Sequence, residues 1–329
     1  MDEIGQLLAK KVERVTPATF DELALEIFRY QAACNSLYAD YIRLLHIKPE
    51  TITKVEQIPF LPIQFFKTHD IQTGKWTPET VFTSSGTTGQ TPSRHLVRDL
   101  DFYLRNTRRG FEHFYGKLED YCFLALLPSY LERSGSSLVA MVDYFIRQSK
   151  YEQSGFFLHD TDRLVKTLLE VKKKYIPTVL IGVSFALWDL AEQCPMDLKG
   201  IIVMETGGTK GRRRNLIRKE LHKILEKGFN VNSIHSEYGM TELLSQSYFF
   251  NKKLFSSPTI RTFARQITDP LTNEKYGKTG VLNIIDLANF NTISFIATED
   301  LGRVYADHSF EVLGRLDNSD IRGCNLMVM

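Results

Sequence analysis

The chain has 329 residues, of which 43% are hydrophobic and 24% charged, with a net charge of +2. That length supports one large domain or two ordinary ones, and the near-neutral balance gives no case for a polyanionic partner. The four cysteines, Cys34, Cys122, Cys194 and Cys324, form no CxxC pair, so neither a zinc site nor a thioredoxin-type centre is indicated.

The opening MDEIGQLLAKKVERV reads as a charged amphipathic helix rather than a signal peptide, and no apolar run reaches the roughly 18 to 20 residues of a membrane span. The expectation is a cytoplasmic protein in a reducing compartment. Residues 1–50 form a helical lead segment: DELALEIFRYQAACNSLYADYIRLL has apolar residues at three-four spacing, with Thr19 or Asp21 as N-cap. IPFLPIQFF carries two prolines that exclude a helix and reads as an apolar connector or edge segment.

Residues 51–245 alternate strands and helices. YCFLALLP, GFFLH, TVLIGV, GIIVMET and FNVNSIH read as strands, and SGSSLVAMVDYFIRQS, TDRLVKTLLEVKKK, FALWDLAEQ and RRRNLIRKELHKILEKG as helices. That order predicts an α/β fold with a mostly parallel sheet and flanking helices. From 246 to 329 short strands dominate, TIRTFARQIT, TGVLNIIDL, TISFIATED and RVYADHSFEVLGRL, and predict a β-rich meander or barrel-like subdomain of the same body. Aromatic residues reach 12%, which a large apolar pocket would use but which a plain core explains more readily.

Three stretches carry chemistry. In FTSSGTTGQTP, the residues Ser84, Ser85, Gly86, Thr87, Thr88 and Gly89 follow a strand. Glycines allow tight turns, and clustered N–H and hydroxyl groups make a neutral anion cradle, so phosphate is the expected ligand and a solvated turn the alternative. The Gly-Lys-Ser/Thr ending of a Walker loop is missing. In HSEYGMTELLSQ, Tyr238 can stack on a base, Thr241 can donate to a phosphate or carboxyl oxygen, and Glu242 can hold Mg²⁺; a strand-to-helix turn with a capping glutamate is the alternative. In ATEDLGRVY and GRLDNSDIRGCN, Asp300 just after a strand can bind ribose hydroxyls and Arg315 can bind sugar or phosphate. These could equally be polar turns. The basic GRRRNLIRK is read as a solvated helix face rather than a nucleic-acid patch.

TSSGTTGQ, YGMTE, T-x-DLG and GRxDNSDIRG, in that order, resemble the adenylate-forming superfamily of acyl-CoA synthetases, aryl-CoA ligases and luciferase-like enzymes, over roughly residues 55 to 325. Within it the chain looks most like the LuxE-type acyl-protein synthetases, on its short length, its helical lead with IPFLPIQFFK and its ending at IRGCN. Phenylacetate-CoA-ligase-type enzymes are the near relatives.

The resemblance implies ATP and Mg²⁺ as cofactors, and a fatty or other carboxylic acid as substrate, activated as acyl-adenylate and passed to a cysteine thiol. It implies that residues 84–89 grip the β and γ phosphates, that Tyr238 with Gly239 stacks the adenine, and that Thr241 and Glu242 hold the α-phosphate region and the metal. It further implies Asp300 on the ribose, Arg315 following it, and Gly207 and Gly208 of METGGTKG in the adenine pocket. Relatives often carry a lysine after the loop; here Arg94 takes the place of its charge.

Cys324 matches a family cysteine that accepts the acyl group, and a nearby Arg322 can lower its thiol pKa. Cys34, Cys122 and Cys194 are expected in cores. The chain stops at Met329, so the small mobile C-terminal domain with its catalytic lysine is expected to be absent. An acyl-reductase or other acceptor protein is the implied partner. A reduced acyl- or aryl-CoA ligase, or a non-catalytic nucleotide- or acyl-binding subunit, are the alternatives.

Overall fold

The computed structural model describes residues 3–84, 91–127, 135–157, 160–207, 218–250 and 252–316. Three helices open it, α1 (Glu3–Glu13), α2 (Phe20–Cys34) and α3 (Ser36–Leu44). Thr19 stands at the N-cap of α2 but makes no side-chain cap bond. IPFLPIQFF gives the two-residue strand β1 (Leu61–Pro62), then the one-turn helix α4 (Phe65–Thr68). The prolines exclude helix only as far as Pro62, and α4 starts beyond the reach of its ring.

Next come a hairpin, β2 (Thr80–Thr83) and β3 (Arg94–Val97), and the helix α5 (Leu100–Tyr115). The alternating region holds β4 (Cys122–Leu126), α6 (Ser137–Gln148), β5 (Gly155–Phe156), α7 (Thr161–Lys173), β6 (Thr178–Val183), α8 (Ser184–Gln193), β7 (Ile202–Thr206), α9 (Arg218–Phe229) and β8 (His235–Tyr238). Then β9 (Ser247–Phe250), β10 (Lys253–Ser256), β11 (Ile260–Arg265), β12 (Thr279–Asp286), β13 (Phe295–Val304) and β14 (Phe310–Arg315) follow without an α-helix among the described residues.

The strands β5-β4-β6-β7-β8 run parallel. Every residue of β4 and β6 is buried, which explains their unbroken apolar runs: helices cover both faces. His235 contacts Tyr115 of α5, while its neighbour Ser236 contacts His222 of α9. Adjacent strand residues point to opposite faces, so α5 and α9 lie on opposite sides of the sheet. Gly228 lets α9 close on α8, since a Cβ there would sit 2.7 Å from the Ala191 Cβ.

Two sequence expectations shift here. FNVNSIH is not the strand, because α9 runs on to Phe229 and the strand is His235–Tyr238, inside the YGMTE-bearing stretch itself. The β-rich part is hydrogen-bonded into the same 12-stranded sheet, continuing from β8 through antiparallel β9, β10, β14, β13, β12 and β11.

This continuation is rolled. Four strand spacings separate β8 from β13, about 19 Å in a flat sheet. Yet the Tyr238 hydroxyl donates to the Asp300 carboxylate at 2.7 Å. Sheet twist must therefore curl β9, β10 and β14 around a shared interior.

The lead helices are packed onto the roll. Phe28 and Tyr38 meet Phe295 of β13 with ring centroids 6.0 and 6.2 Å away. The buried Gln31 amide donates to the Asn289 and Phe290 carbonyls, each at 3.1 Å, and accepts from the Ser294 N–H at 3.0 Å. Replacing it by an isosteric apolar residue leaves two carbonyls and an amide unsatisfied in a dry site. Gln31→Leu is expected to cost about 2–4 kcal/mol. Urea unfolding checks it: the midpoint falls while the denaturant slope stays constant.

Candidate functional site

The hydroxyl-glycine loop connects β2 to β3 and so hangs from a two-stranded ribbon, not from a strand of the large sheet. Ser84 closes the base of that loop: its N–H donates to the Ser93 carbonyl at 3.0 Å, and its hydroxyl accepts from the Ser93 N–H at 2.8 Å. Gly135 packs behind the ribbon with φ +87°, and a Cβ there would meet the Val81 carbonyl at 2.8 Å. Ser85, Gly86, Thr87, Thr88 and Gly89 lie outside the described residues, as do Gly208 and Cys324. Arg94 is exposed and 3.5 Å from Asp70.

Tyr238 is the last residue of β8. Its ring is buried edge-on against Phe310, 5.6 Å between centroids. Asp300 does not follow a strand as expected; it lies within β13, directly across from Arg315 on β14. One Asp300 oxygen takes the Tyr238 hydroxyl and the other takes the Arg315 Nε at 3.3 Å. The roll thus assembles Tyr238, Asp300 and Arg315 from three separate strands.

Gly239 begins the turn after β8, and a Cβ there would stand 2.5 Å from the Glu237 Oε1, so a larger residue would have to displace that carboxylate. No helix follows; residues 239–246 form an irregular turn. Its backbone is held by side chains that sequence reasoning missed. His95 takes the Thr241 carbonyl at 2.8 Å, Asn289 the Glu242 carbonyl at 2.8 Å, and Asn106 the Leu244 carbonyl at 2.8 Å. Asp286 accepts from the N–H groups of Leu244 and Ser245 at 2.8 and 3.0 Å and from the Ser245 hydroxyl at 2.6 Å. No motif marks these residues, since each acts through long-range contact. The signal available was a polar DLANFNT run amid apolar strands.

Glu242 is buried, and burial raises its pKa, with hydrogen bonding from Ser93 and the charge of Arg315 opposing. A carboxylate is a hard oxygen donor of the kind Mg²⁺ prefers. Glu242 therefore fits Mg²⁺. Among the described residues no group of three or more His, Cys, Asp or Glu could hold a metal by itself.

Gly207 ends β7 with φ +72°, and its carbonyl accepts from the Ser184 hydroxyl. Two glutamates flank this region with different fates. Glu205 accepts from Ser184 at 2.8 Å and lies 3.4 and 3.5 Å from Arg218 and His222; burial would raise its pKa, but His222 and Arg218 outweigh that and hold it below the usual value. Glu237, on the other face, accepts only the Thr206 hydroxyl, at 2.6 Å, among the bonds described. Burial, with Glu205 nearby, pushes its pKa up from 4.5 to about 7.

Cys122 is buried and Cys194 half-buried, but Cys34 is exposed at the end of α2, contrary to its expected core position. The helix ends there, and Cys34 falls on the solvent side of its last turn while Gln31 faces the core. Among the described residues no helix is long and apolar enough to cross a membrane.

The fold is that of adenylate-forming enzymes. ATP-bound MatB from Rhodopseudomonas palustris matches with TM-score 0.55 at 14% identity, over 73% of this chain and 49% of that one. A 2-hydroxyisobutyryl-CoA ligase in complex with 2-HIB-AMP and CoA, in its thioesterification state, matches with TM-score 0.67 at 15% identity, over 94% of this chain and 71% of that one. Its open conformation matches with TM-score 0.66 at 14% identity, over 92% and 72%. The chain spans about half the length of the MatB chains it matches. The sequence matches no protein-family profile and no curated protein.

Glu237 makes a pH-dependent prediction. Its folded value lies above that of a free glutamate, so the folded chain holds the proton more tightly. That stability is complete below about pH 4.5 and is lost as pH rises to about 7. A shift of this size corresponds to roughly 3 kcal/mol. Glu237→Gln cannot ionise, so its melting temperature relative to wild type should be higher at pH 8 than at pH 5. Thermal melts across that range check it.

Proposed function

We propose that this chain binds Mg·ATP, activates a carboxylic acid as its acyl-adenylate, and passes the acyl group to a thiol, in the manner of the LuxE-type acyl-protein synthetases with Cys324 as acceptor. One observation carries the adenylation reading. The roll of the sheet brings Tyr238, Asp300 and Arg315 together next to the turn that bears Thr241 and Glu242. The ordered motifs and the likeness in fold to an ATP-bound protein and to a ligase holding 2-HIB-AMP support it.

A carboxylate is a poor acyl donor, because oxide does not leave. Attack of a carboxylate oxygen on the α-phosphorus of ATP forms an O–P bond and breaks the bond to the β-phosphate oxygen, releasing pyrophosphate. Fixed donors and charges that match the developing phosphate charge lower this barrier. In this reading the ring of Tyr238 takes the adenine and Asp300 the ribose hydroxyls, exchanging the Tyr238 and Arg315 contacts it makes in the described structure. Arg315, largely exposed, reaches toward the phosphates. Thr241 donates to the α-phosphate region. Glu242 would hold Mg²⁺, which when bound would supply charge neutralisation.

In the second step a thiolate attacks the acyl carbon. A C–S bond forms, the bond to the phosphate oxygen breaks, AMP leaves with that electron pair, and the thiol proton passes to solvent.

A second reading, with CoA as acceptor, is favoured by the extent of the match to a CoA ligase, 94% of this chain. Intact mass of the protein with ATP, Mg²⁺ and a panel of short, long and aromatic acids separates the two. A hydroxylamine-labile gain of one acyl group, absent in Cys324→Ser, supports the acyl-protein reading. Acyl-CoA formation without a protein-bound acyl group supports the other. No acid-dependent pyrophosphate exchange at all would overturn both and leave a nucleotide-binding subunit.

Two substitutions test the residue roles in that exchange assay. Glu242→Gln should lower the exchange rate at least about 100-fold and raise the Mg²⁺ requirement. Asp300→Ala should raise the KM for ATP about tenfold or more, with a smaller effect on the KM for the acid.

A further inference from the structure

The hairpin that carries the hydroxyl-glycine loop and the turn that carries Thr241 and Glu242 are far apart in sequence and on different sheets. Two buried side chains of the hairpin, Ser93 and His95, join them. Ser93 and His95 are two residues apart in extended backbone, so both project from one face of the hairpin. Ser93 hydrogen-bonds Glu242. His95 is fully buried, with its Nδ1 2.8 Å from the Thr241 carbonyl and its Nε2 3.1 Å from the Thr292 hydroxyl.

The two contacts assign the tautomer. A carbonyl oxygen only accepts, so Nδ1 carries the hydrogen. In the neutral ring Nε2 then accepts, and Thr292 is the donor. Phe66 meets the ring edge-on at 5.4 Å and keeps it from rotating. Burial holds the imidazole neutral, its pKa lowered to about 4, so the arrangement persists throughout the neutral range.

We propose that His95 is a positioning residue that locks the β2–β3 hairpin to the turn bearing Thr241 and Glu242, so that this turn is fixed in place before nucleotide arrives. The inference rests on the nucleotide reading above but concerns a residue outside the motifs that suggested it. Its logic is pre-organisation: groups already fixed in place lose less freedom on binding. The tether is a rigid ring rather than a flexible chain. Thr292 anchors its far side to the buried turn that also holds Glu242 through Asn289.

The test separates the tether from simple core filling. Asparagine places its amide nitrogen as many bonds from Cα as Nδ1, and glutamine as many as Nε2. His95→Asn keeps a donor for Thr241 and His95→Gln does not. Two measurements are made on each full-length variant: amide exchange over residues 240–245 without nucleotide, and calorimetric binding of Mg·ATP. His95→Asn should stay within about threefold of wild type in both. His95→Gln should exchange about tenfold faster in that turn and bind Mg·ATP about tenfold more weakly, the scale of one buried hydrogen bond. Equal behaviour of the two variants would overturn the inference and reduce His95 to packing. Wild-type protein that binds no Mg·ATP would overturn the nucleotide reading instead, and the exchange comparison would still decide the tether.

Discussion

The turn from Asp286 to Thr292 is wholly buried, and the candidate site hangs from it. A buried irregular segment is costly unless its polar groups find partners. Here the partners come from every part of the chain. Gln31 of α2 and Asn35, between α2 and α3, reach its carbonyls, Thr73 reaches Asn291 and Thr292, Arg98 takes the Asn291 side chain, and His95 takes Thr292. Asp286 and Asn289 in turn hold the backbone of the turn at 239–245. The lead helices, the β2–β3 hairpin and the turn at 239–245 are thereby registered against one another.

This arrangement explains why polar groups are concentrated deep inside a fold with an otherwise apolar interior. Asp286 accepts four bonds, counting one from the Ala288 N–H, and still its pKa is raised to about 6, because burial outweighs its donors. Such a network is strong when complete and weak when broken. Tyr238, Glu242 and Asp300 lie buried against this network. Gly239 and Arg315 are exposed, and Thr241 is half-buried.

The second constraint is the roll of the sheet. Parallel strands up to β8 build an open α/β body, and ligands collect at the carboxyl ends of such strands. Antiparallel strands then curl back, so that β13 and β14 present Asp300 and Arg315 to the end of β8. A nucleotide between them would be enclosed on two sides by one continuous sheet. Glu205 and Glu237, on opposite faces of that strand end, give it one glutamate beside cations and one held protonated near neutrality.

Much of this was legible in the residues. Unbroken apolar runs such as CFLAL and TVLIGV declare strands buried on both faces, and three-four spacing declares α6, α7 and α8, because those patterns are local. The hydroxyl-glycine loop and YGMTE stood out because the need for small residues and close approach is also local. FNVNSIH misled because its apolar residues serve the end of α9 and the approach to β8. Asp300 misled because a polar residue inside a strand looks like the end of one. His95 and Asn106 were invisible, because a side chain that caps a distant carbonyl leaves no pattern around itself, and Asp286 and Asn289 showed only as a polar run amid apolar strands. By itself the sequence determined the elements, the α/β class and the residue types available for phosphate and metal. Only the tertiary structure decided that Tyr238 meets Asp300, that Arg315 faces it, and that one buried turn holds the site together. Those contacts depend on sheet curvature and on burial of polar groups, which are properties of the whole chain.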